Sequence, residues 1–461
     1  MTATDAAVSA PAVGGDDVSH RLSHLWSTLA TACFVVGVLA PVVAVITAVH
    51  RHAVNLPYWD EWQLVPLLEK LRVGTLRVSD LWAQHNEHRV LLPRVALLAL
   101  ASVSGWDVRD ELYANVALAV VSLSLLCVLL GKSVGGRSGP LSVAASVMMF
   151  SMAQWENWSW GWQMSFFMNG LAATTAAVAL AYWPEKRWAI LAASMAGVMA
   201  TLSLASGIVL LWLVPATVAL CGDRHRRIDV VWTALVAGVL SALYLWGYHR
   251  PVHHPALGYD RPLDLAVYLL AYLGSPFAGS SVRSAAMFGV LGVLMLVSAA
   301  CSVWRLGGAA RRAATPWLFL ASYVVGTGAL TGLGRVGFGT TQALASRYTT
   351  LSCLFWISTL AVAVVALERY FTSSRRRGRL AMAAALASFV VLVGRGYTDS
   401  YAAGHRLFKE RLTSLRASRR CIMTYRTAPL SCFDVVYHHP DRLRERLEIL
   451  ERLRLGPFRA A

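Results

Sequence analysis

Apolar residues in this chain fall into repeated runs of about 16 to 22, the length at which a helix crosses a hydrocarbon core. About eleven such runs can be placed, near 27–48, 111–131, 139–154, 164–183, 187–204, 206–221, 229–248, 284–304, 315–333, 347–367 and 379–395. A bilayer offers backbone groups no water, so runs of this length are read as helices. A soluble domain is excluded by 56% hydrophobic and only 15% charged residues. Mean hydropathy is +0.52. The expected fold class is an all-α polytopic membrane protein of about 11 transmembrane helices, with amphipathic helices on its outer face and a small C-terminal extracytoplasmic segment.

The formal charge of +17 would raise nucleic acid as a partner in a soluble chain. Here the basic residues sit in short clusters between apolar runs (Arg224, Arg226, Arg227; Arg311, Arg312; Arg375, Arg376, Arg377, Arg379). The positive-inside rule places such clusters in the cytoplasm, so nucleic acid is set aside and the lipid bilayer is the expected partner. A cytoplasmic N-terminus makes the connections 132–137, 185–187, 223–227, 305–312 and 369–379 cytoplasmic, each with at least two Lys or Arg. The connections 49–110, 155–163, Ser206-Gly207, 249–283, 334–346 and the tail from 396 then face outside. The segment 264–278 is apolar enough for a further span, but that would move Arg305 to Arg312 outside, so it is read as a helix on or dipping into the outer face. The short runs around Ser206-Gly207 admit a hairpin of half-depth helices.

Residues 1–26 lack a basic n-region and a small-residue cleavage site, and are read as a cytoplasmic tail before a retained first helix. The membrane domain is 27–395, with 49–110 as its first outer loop, and 396–461 is a C-terminal extracytoplasmic helical segment. Of seven cysteines, Cys33, Cys127, Cys221, Cys301 and Cys353 lie in apolar runs, whereas Cys421 and Cys432 stand in polar sequence. An outer Cys421–Cys432 disulfide would stabilise by roughly 3 kcal/mol in the chain-entropy model; two free thiols are the alternative. Helical spacing over 441–455 predicts an amphipathic helix.

Pro57-Tyr58-Trp59-Asp60-Glu61-Trp62 is the most informative stretch, leading into Leu64, Leu67, Leu68, Leu71 and Gly74. Two adjacent carboxylates opening a helix between tryptophans fit an anchored surface helix with dipole-matched acids. They also fit a catalytic pair at a membrane face. Gln84-His85-Asn86-Glu87-His88-Arg89 follows, six consecutive hydrogen-bonding side chains that are costly at a membrane rim unless they meet water or a ligand. His85, Glu87 and His88 are candidate acceptor-binding residues. They are also candidate ligands for a divalent cation, although their spacing matches no zinc motif, which leaves the metal unassigned.

The second outer loop holds Trp155, Glu156, Trp158, Trp160, Trp162 and Gln163. Its tryptophans read as an interfacial belt or as stacking surfaces for a sugar, two compatible roles. A third cluster joins Gly334, Arg335, Gly337, Gly339, Gln342, Ser346, Arg347 and Tyr348. There Arg347 and Arg335 are placed to grip a lipid phosphate in a bidentate way, with snorkelling or charge balance as the alternative.

A first span followed by a long outer loop, opened by the acidic pair Asp60-Glu61 on a helix along the membrane, resembles the membrane glycosyltransferases of the GT-C superfamily, which use polyprenyl-phosphate sugars. The resemblance covers about the first 220 residues; no subfamily is assigned. It implies that Asp60 and Glu61 hold the catalytic carboxylate and that Glu156 fills the place of the family's second-loop acid, as Glu and not the commoner Asp. It further implies a polyprenyl-phosphate-linked sugar as donor and a bacterial-type inner (plasma) membrane enzyme of cell-envelope glycan biosynthesis. The acceptor would be a glycan, lipid or protein. Cofactors are not fixed by it, and a divalent cation is one option.

On that reading Asp60 is the general base, Arg347, with Arg335 or Arg89, stabilises the leaving phosphate, and a single carboxylate implies inversion. Glu61, Glu87 and Glu156 orient the acceptor, share the base role or hold a cation; Trp155, Trp158, Gln163, His85, His88, Gln342 and Tyr348 complete the acceptor or sugar site. Gly131-Lys132-Ser133 looks like the end of a phosphate loop but lacks the earlier glycine, and a membrane span precedes it. Three readings compete: a glycan ligase or polymerase using polyprenyl-diphosphate-linked substrates, a lipid-linked sugar transporter, and a non-catalytic membrane subunit that would tolerate substitution of Asp60 and Arg347 alike. Against the transporter, no internal repeat is found and polar residues gather at one rim.

Overall fold

The computed structural model describes residues 15–221, 226–373 and 376–459, with side chains over 27–220, 226–367, 391 and 393–459. Residues 1–14 of the expected tail, Arg224 and Arg375 lie outside the described residues, as do the side chains of Cys221, Arg376, Arg377 and Arg379. The described residues form helices and no strands.

Helix α1 spans Gly15–His52, and the first loop carries α2 (Val65–Arg72), α3 (Val78–Trp82) and α4 (Leu91–Ser104). Then come α5 (Val108–Val134), α6 (Ser138–Met149), α7 (Trp155–Ser159), α8 (Met164–Tyr182), α9 (Arg187–Thr201), α10 (Ile208–Cys221) and α11 (Arg227–Leu245). The remainder is α12 (Pro262–Gly274), α13 (Val282–Leu306), α14 (Gly308–Arg335), α15 (Thr349–Ser373), α16 (Arg376–Met423) and α17 (Pro440–Leu453). Local chemistry sets several starts. Asp107 accepts the Arg109 backbone N–H at 3.0 Å to begin α5, and Ser281 accepts that of Ser284 at 3.2 Å to begin α13.

Among the described residues, seven stretches are long and apolar enough to cross a membrane: Ser27–His52, Val108–Ser159, Gly161–Tyr182, Arg227–Leu245, Val282–Leu306, Gly308–Phe338 and Ser346–Leu367. They coincide with seven of the eleven expected spans. Of the other four, α6 continues the second stretch, α9 and α10 have 15 and 14 residues, and 379–395 falls within α16. At 1.5 Å per residue α9 and α10 are roughly 21 to 23 Å long, shorter than a hydrocarbon core of about 30 Å. Helix α12 has 13 residues and is shorter still.

The α12–α13 crossing is close because both helices place glycine at the contact. A Cβ on Gly274 would overlap the Ala285 carbonyl, and one on Gly289 the Leu270 carbonyl, the small-residue packing through which apolar helices approach without a water-driven force.

The expected boundary at 396 is not a break. Helix α16 is continuous over 48 residues, roughly 70 Å, and runs through Gly396 into the C-terminal segment. That segment folds back: Cys421 and Cys432 are disulfide-bonded with Cα atoms 6.1 Å apart. Helix α17 buries Leu443, Leu447 and Leu450, and Arg452 pairs with Glu69 of α2. The Gly456 N–H donates to the Gly105 carbonyl at 3.0 Å. The C-terminus is thereby tied to the first loop, where the polar clusters converge.

Candidate functional site

Asp60 is placed by a strained turn. Trp59 has φ +48, the left-handed region that bulky residues avoid, and is held there from outside its own segment. Its N–H donates to the Val436 carbonyl at 2.9 Å, and its ring meets His438 with centroids 3.8 Å apart. The chain continues as a 3-10 helix over Trp59–Leu64, in which Asp60 and Glu61 meet different surroundings. Asp60 is part-exposed and lines a cavity of about 650 Å³. Glu61 is wholly buried, accepts the Tyr58 N–H at 2.7 Å and the Trp162 N–H at 3.2 Å, and does not line the cavity. The expected catalytic pair is thus one cavity carboxylate and one structural carboxyl that staples the second loop to the first.

Gly161 makes that staple possible, since a Cβ there would strike the Glu111 and Glu61 carboxyls. Burial, opposed by the backbone N–H groups and assisted by the neighbouring Asp60 charge, pushes the Glu61 carboxyl up to about 8. The folded state therefore holds a proton that the unfolded chain has released between pH 4.5 and about 8, and stability should fall as pH rises through that window and level off above it. Glu61→Gln is expected to flatten this decline in thermal melts taken at about pH 5 and pH 8; an unchanged slope in the variant would remove the assignment.

His85 and His88 face each other across a tight turn, each donating its N–H to the other's carbonyl at 2.8 Å, with Asn86 at φ +49, which Asn tolerates. Opposed residues project to one face, and both imidazoles line the cavity. His85 Nδ1 lies 3.0 Å from Gln63 Oε1, Nε2 lies 3.2 Å from Asn86 Nδ2, and Nε2 is 3.6 Å from Asp60 Oδ2. Since Asn86 Nδ2 can only donate, the network assigns the proton to Nδ1 and has the Nε2 lone pair accept from Asn86, with Asp60 Oδ2 beside it at 3.6 Å. His88 Nδ1 accepts the Ala205 N–H at 3.2 Å and its Nε2 is 3.4 Å from Glu87. Burial brings His88 down to about 4, so it is neutral at pH 7.

Glu87 also pairs with Arg335, whose Nε is 2.9 Å from Oε1, and lies 3.4 Å from His254 Nδ1. Burial alone would raise Glu87, but His88 and Arg335 outweigh it and bring the carboxyl down to about 2. With His88 neutral, Arg335 is the cation that keeps Glu87 ionised. Arg335 reaches the cavity already neutralised.

Arg347 lines the cavity with less compensation: its Nη1 is 3.6 Å from Glu156 Oε1, and Arg411 Nη2 is 3.7 Å from the same oxygen. Two guanidiniums sharing one carboxylate leave a net positive charge at Arg347. Glu156 stands behind it, bonded to the Ser346 hydroxyl at 2.9 Å and the Arg347 N–H at 3.2 Å. It positions the arginine and is not itself in the lining. Arg411 is clamped over Tyr58 and Trp155, 4.6 and 4.2 Å from the ring centres.

Several expected residues have other roles. Arg89 gives Nε to the Tyr244 carbonyl at 2.8 Å, Nη1 to Trp82 at 3.0 Å and Nη2 to Trp246 at 2.5 Å. Each of its three nitrogens donates to backbone and it lies outside the cavity lining, so it fastens the first loop to the end of α11. Trp158 is buried between Phe150 and Phe167, with its Nε1 on the Ser151 carbonyl at 3.0 Å. Trp155 carries Arg411, and Gln342 sits in a 3-10 turn outside the lining. Of the second loop's tryptophans, Trp160 and Trp162 face the cavity, beside Trp59 of the first loop; the chain becomes extended at Trp160 (φ −147, ψ 112).

Gln163 and Tyr348 line the cavity as expected. Gln163 Oε1 and Tyr272 Oη there are buried without hydrogen-bond partners, the condition of groups awaiting water or ligand. Sequence reasoning missed His253, His254, His438 and Arg442, all in the lining; the histidine-rich stretch 249–254 was the available signal for the first two. Among the described residues no group of three His, Cys, Asp or Glu side chains is disposed to hold a metal ion, and the Ala205 N–H occupies Nδ1 of His88. No protein-family model, curated protein or solved structure matches the chain, and any functional reading rests on this cavity.

Proposed function

We propose that this protein is a membrane glycosyltransferase of GT-C type that moves a sugar from a polyprenyl-phosphate donor to an acceptor hydroxyl with inversion. The observation that carries the reading is that Asp60, just beyond α1, and Arg347, at the start of α15, line one cavity with Trp160, Trp162 and Gln163. A carboxylate and an under-compensated guanidinium are the two charges the reaction needs. The acceptor oxygen bonds to the anomeric carbon as its proton passes to Asp60. The bond from that carbon to the phosphate oxygen breaks, and its electron pair leaves with the phosphate against Arg347. His85 Nε2, 3.6 Å from Asp60 Oδ2, is near enough to accept that proton if it moves on. The cavity of about 650 Å³ is within the range of small-ligand sites. Eleven spans, a cytoplasmic N-terminus and a site at the outer face of an inner membrane belong to the same proposal, supported by the basic loops.

The test is a panel of short-chain polyprenyl-phosphate hexoses and pentoses offered to the purified full-length protein in lipid discs, with release of polyprenyl phosphate read by mass spectrometry. One donor should be consumed, with an inverted anomer in any product. Consumption of polyprenyl-diphosphate-linked glycans alone would move the protein to the ligase class.

A further inference from the structure

A second cavity, of about 530 Å³, lies where α1 ends, α5 begins and the C-terminus returns. Its lining includes Arg109, Arg416, Arg419 and Arg459, with Asp107 as the one carboxylate. Asp107 is fully engaged: it accepts from Arg109 Nε at 2.9 Å and 3.1 Å and from the Arg109 N–H. Asn55 builds the floor, accepting the Val108 N–H at 3.1 Å and donating to the Gly456 carbonyl at 3.3 Å.

The other three guanidiniums have no ionic partner among the described residues. Arg416 gives one nitrogen to the His52 carbonyl at 3.4 Å and Arg459 one to Ser104, which covers the ends of α1 and α4 but leaves most of each fork unused. Arg419 makes no hydrogen bond or ion pair among the described residues, and helix capping does not account for it.

Position supplies the ligand class. The candidate spans end at His52 and begin at Val108, and the lining residues 53–55 and 107–109 flank both ends, which is headgroup depth. Guanidinium forks match phosphate bidentately, and the volume accommodates more than a single ion. We infer that this cavity is a binding site for a phosphate-bearing group at the membrane face, a phospholipid headgroup or a free diphosphate compound, distinct from the Asp60 cavity and independent of the glycosyl-transfer reading.

The experiment is native mass spectrometry of the full-length protein with dioleoyl phosphatidylglycerol against dioleoyl phosphatidylcholine. Wild type should retain phosphatidylglycerol preferentially. Arg416→Gln with Arg419→Gln should lower that retention about tenfold, as expected for two lost charge-assisted contacts, and the Lys pair should lower it less. Arg419→Gln alone removes no bond seen in the structure, so it carries the test if the double variant does not fold, with about a threefold loss expected. Inorganic diphosphate distinguishes the sources: displacement of the lipid assigns the site to free phosphate compounds, and failure to displace it assigns the site to the headgroup. Equal retention by wild type and Arg419→Gln, or no preference for phosphatidylglycerol in wild type, overturns the proposal.

Discussion

Asp60→Asn is expected to lower polyprenyl-phosphate release by about 10²- to 10⁴-fold, the contribution of a general base, while the protein still folds and inserts. Asn has nearly the same shape, and Asp60 is a part-exposed cavity residue whose one nearby charge partner is His85 at 3.6 Å, so little packing depends on it. The neighbouring Glu61 cannot take over. It is buried, spent on the Tyr58 and Trp162 N–H groups and outside the cavity lining. Donor binding should survive the substitution, because in the proposed mechanism the carboxylate takes the acceptor proton and does not touch the phosphate. A kcat that collapses with KM nearly unchanged is the expected pattern. Wild-type turnover in Asp60→Asn would show that the base lies elsewhere.

Arg347→Gln should cost about 10²- to 10³-fold in kcat, the range for losing one preorganised group aimed at developing charge. Glu156 keeps Arg411 as a partner at 3.7 Å, so the variant is not left with a buried lone carboxylate and should melt near wild type. Arg347→Lys should recover only part of the loss, since an ammonium cannot grip phosphate bidentately. Arg335→Gln is the informative contrast. It strips Glu87 of its one strong cation, and its effect should appear in stability more than in turnover. If Arg347→Gln raised KM alone, the arginine would be a lipid anchor and not a stabiliser of the leaving group.

The helices and the acidic, histidine-rich and basic clusters were legible because hydropathy and charge are local, additive properties of a run. Seven of the expected spans coincide with stretches long enough to cross a membrane, and α17 falls where its leucine spacing places it. The Cys421–Cys432 pair, one of two open readings, is bonded. The continuity of α16 through Gly396 was less legible, since a change from apolar to charged composition reads as a boundary although the backbone ignores it. Arg411 and Arg442 carried no signal, being two charges among many on amphipathic helices.

Sequence alone determined that this is a helical membrane protein and which residues have the chemistry to act at its rim. Tertiary structure decided which of two neighbours reaches the cavity. Asp60 and not Glu61 reaches the cavity, Arg347 and not Arg89 keeps charge to spare, and Trp160 and not Trp158 faces it. Each choice turns on a partner far along the chain, Trp162 for Glu61, Tyr244 and Trp246 for Arg89, Val436 for the turn that aims Asp60. A side chain's role depends on which of its hydrogen-bonding atoms the fold has already satisfied, and no local pattern records that.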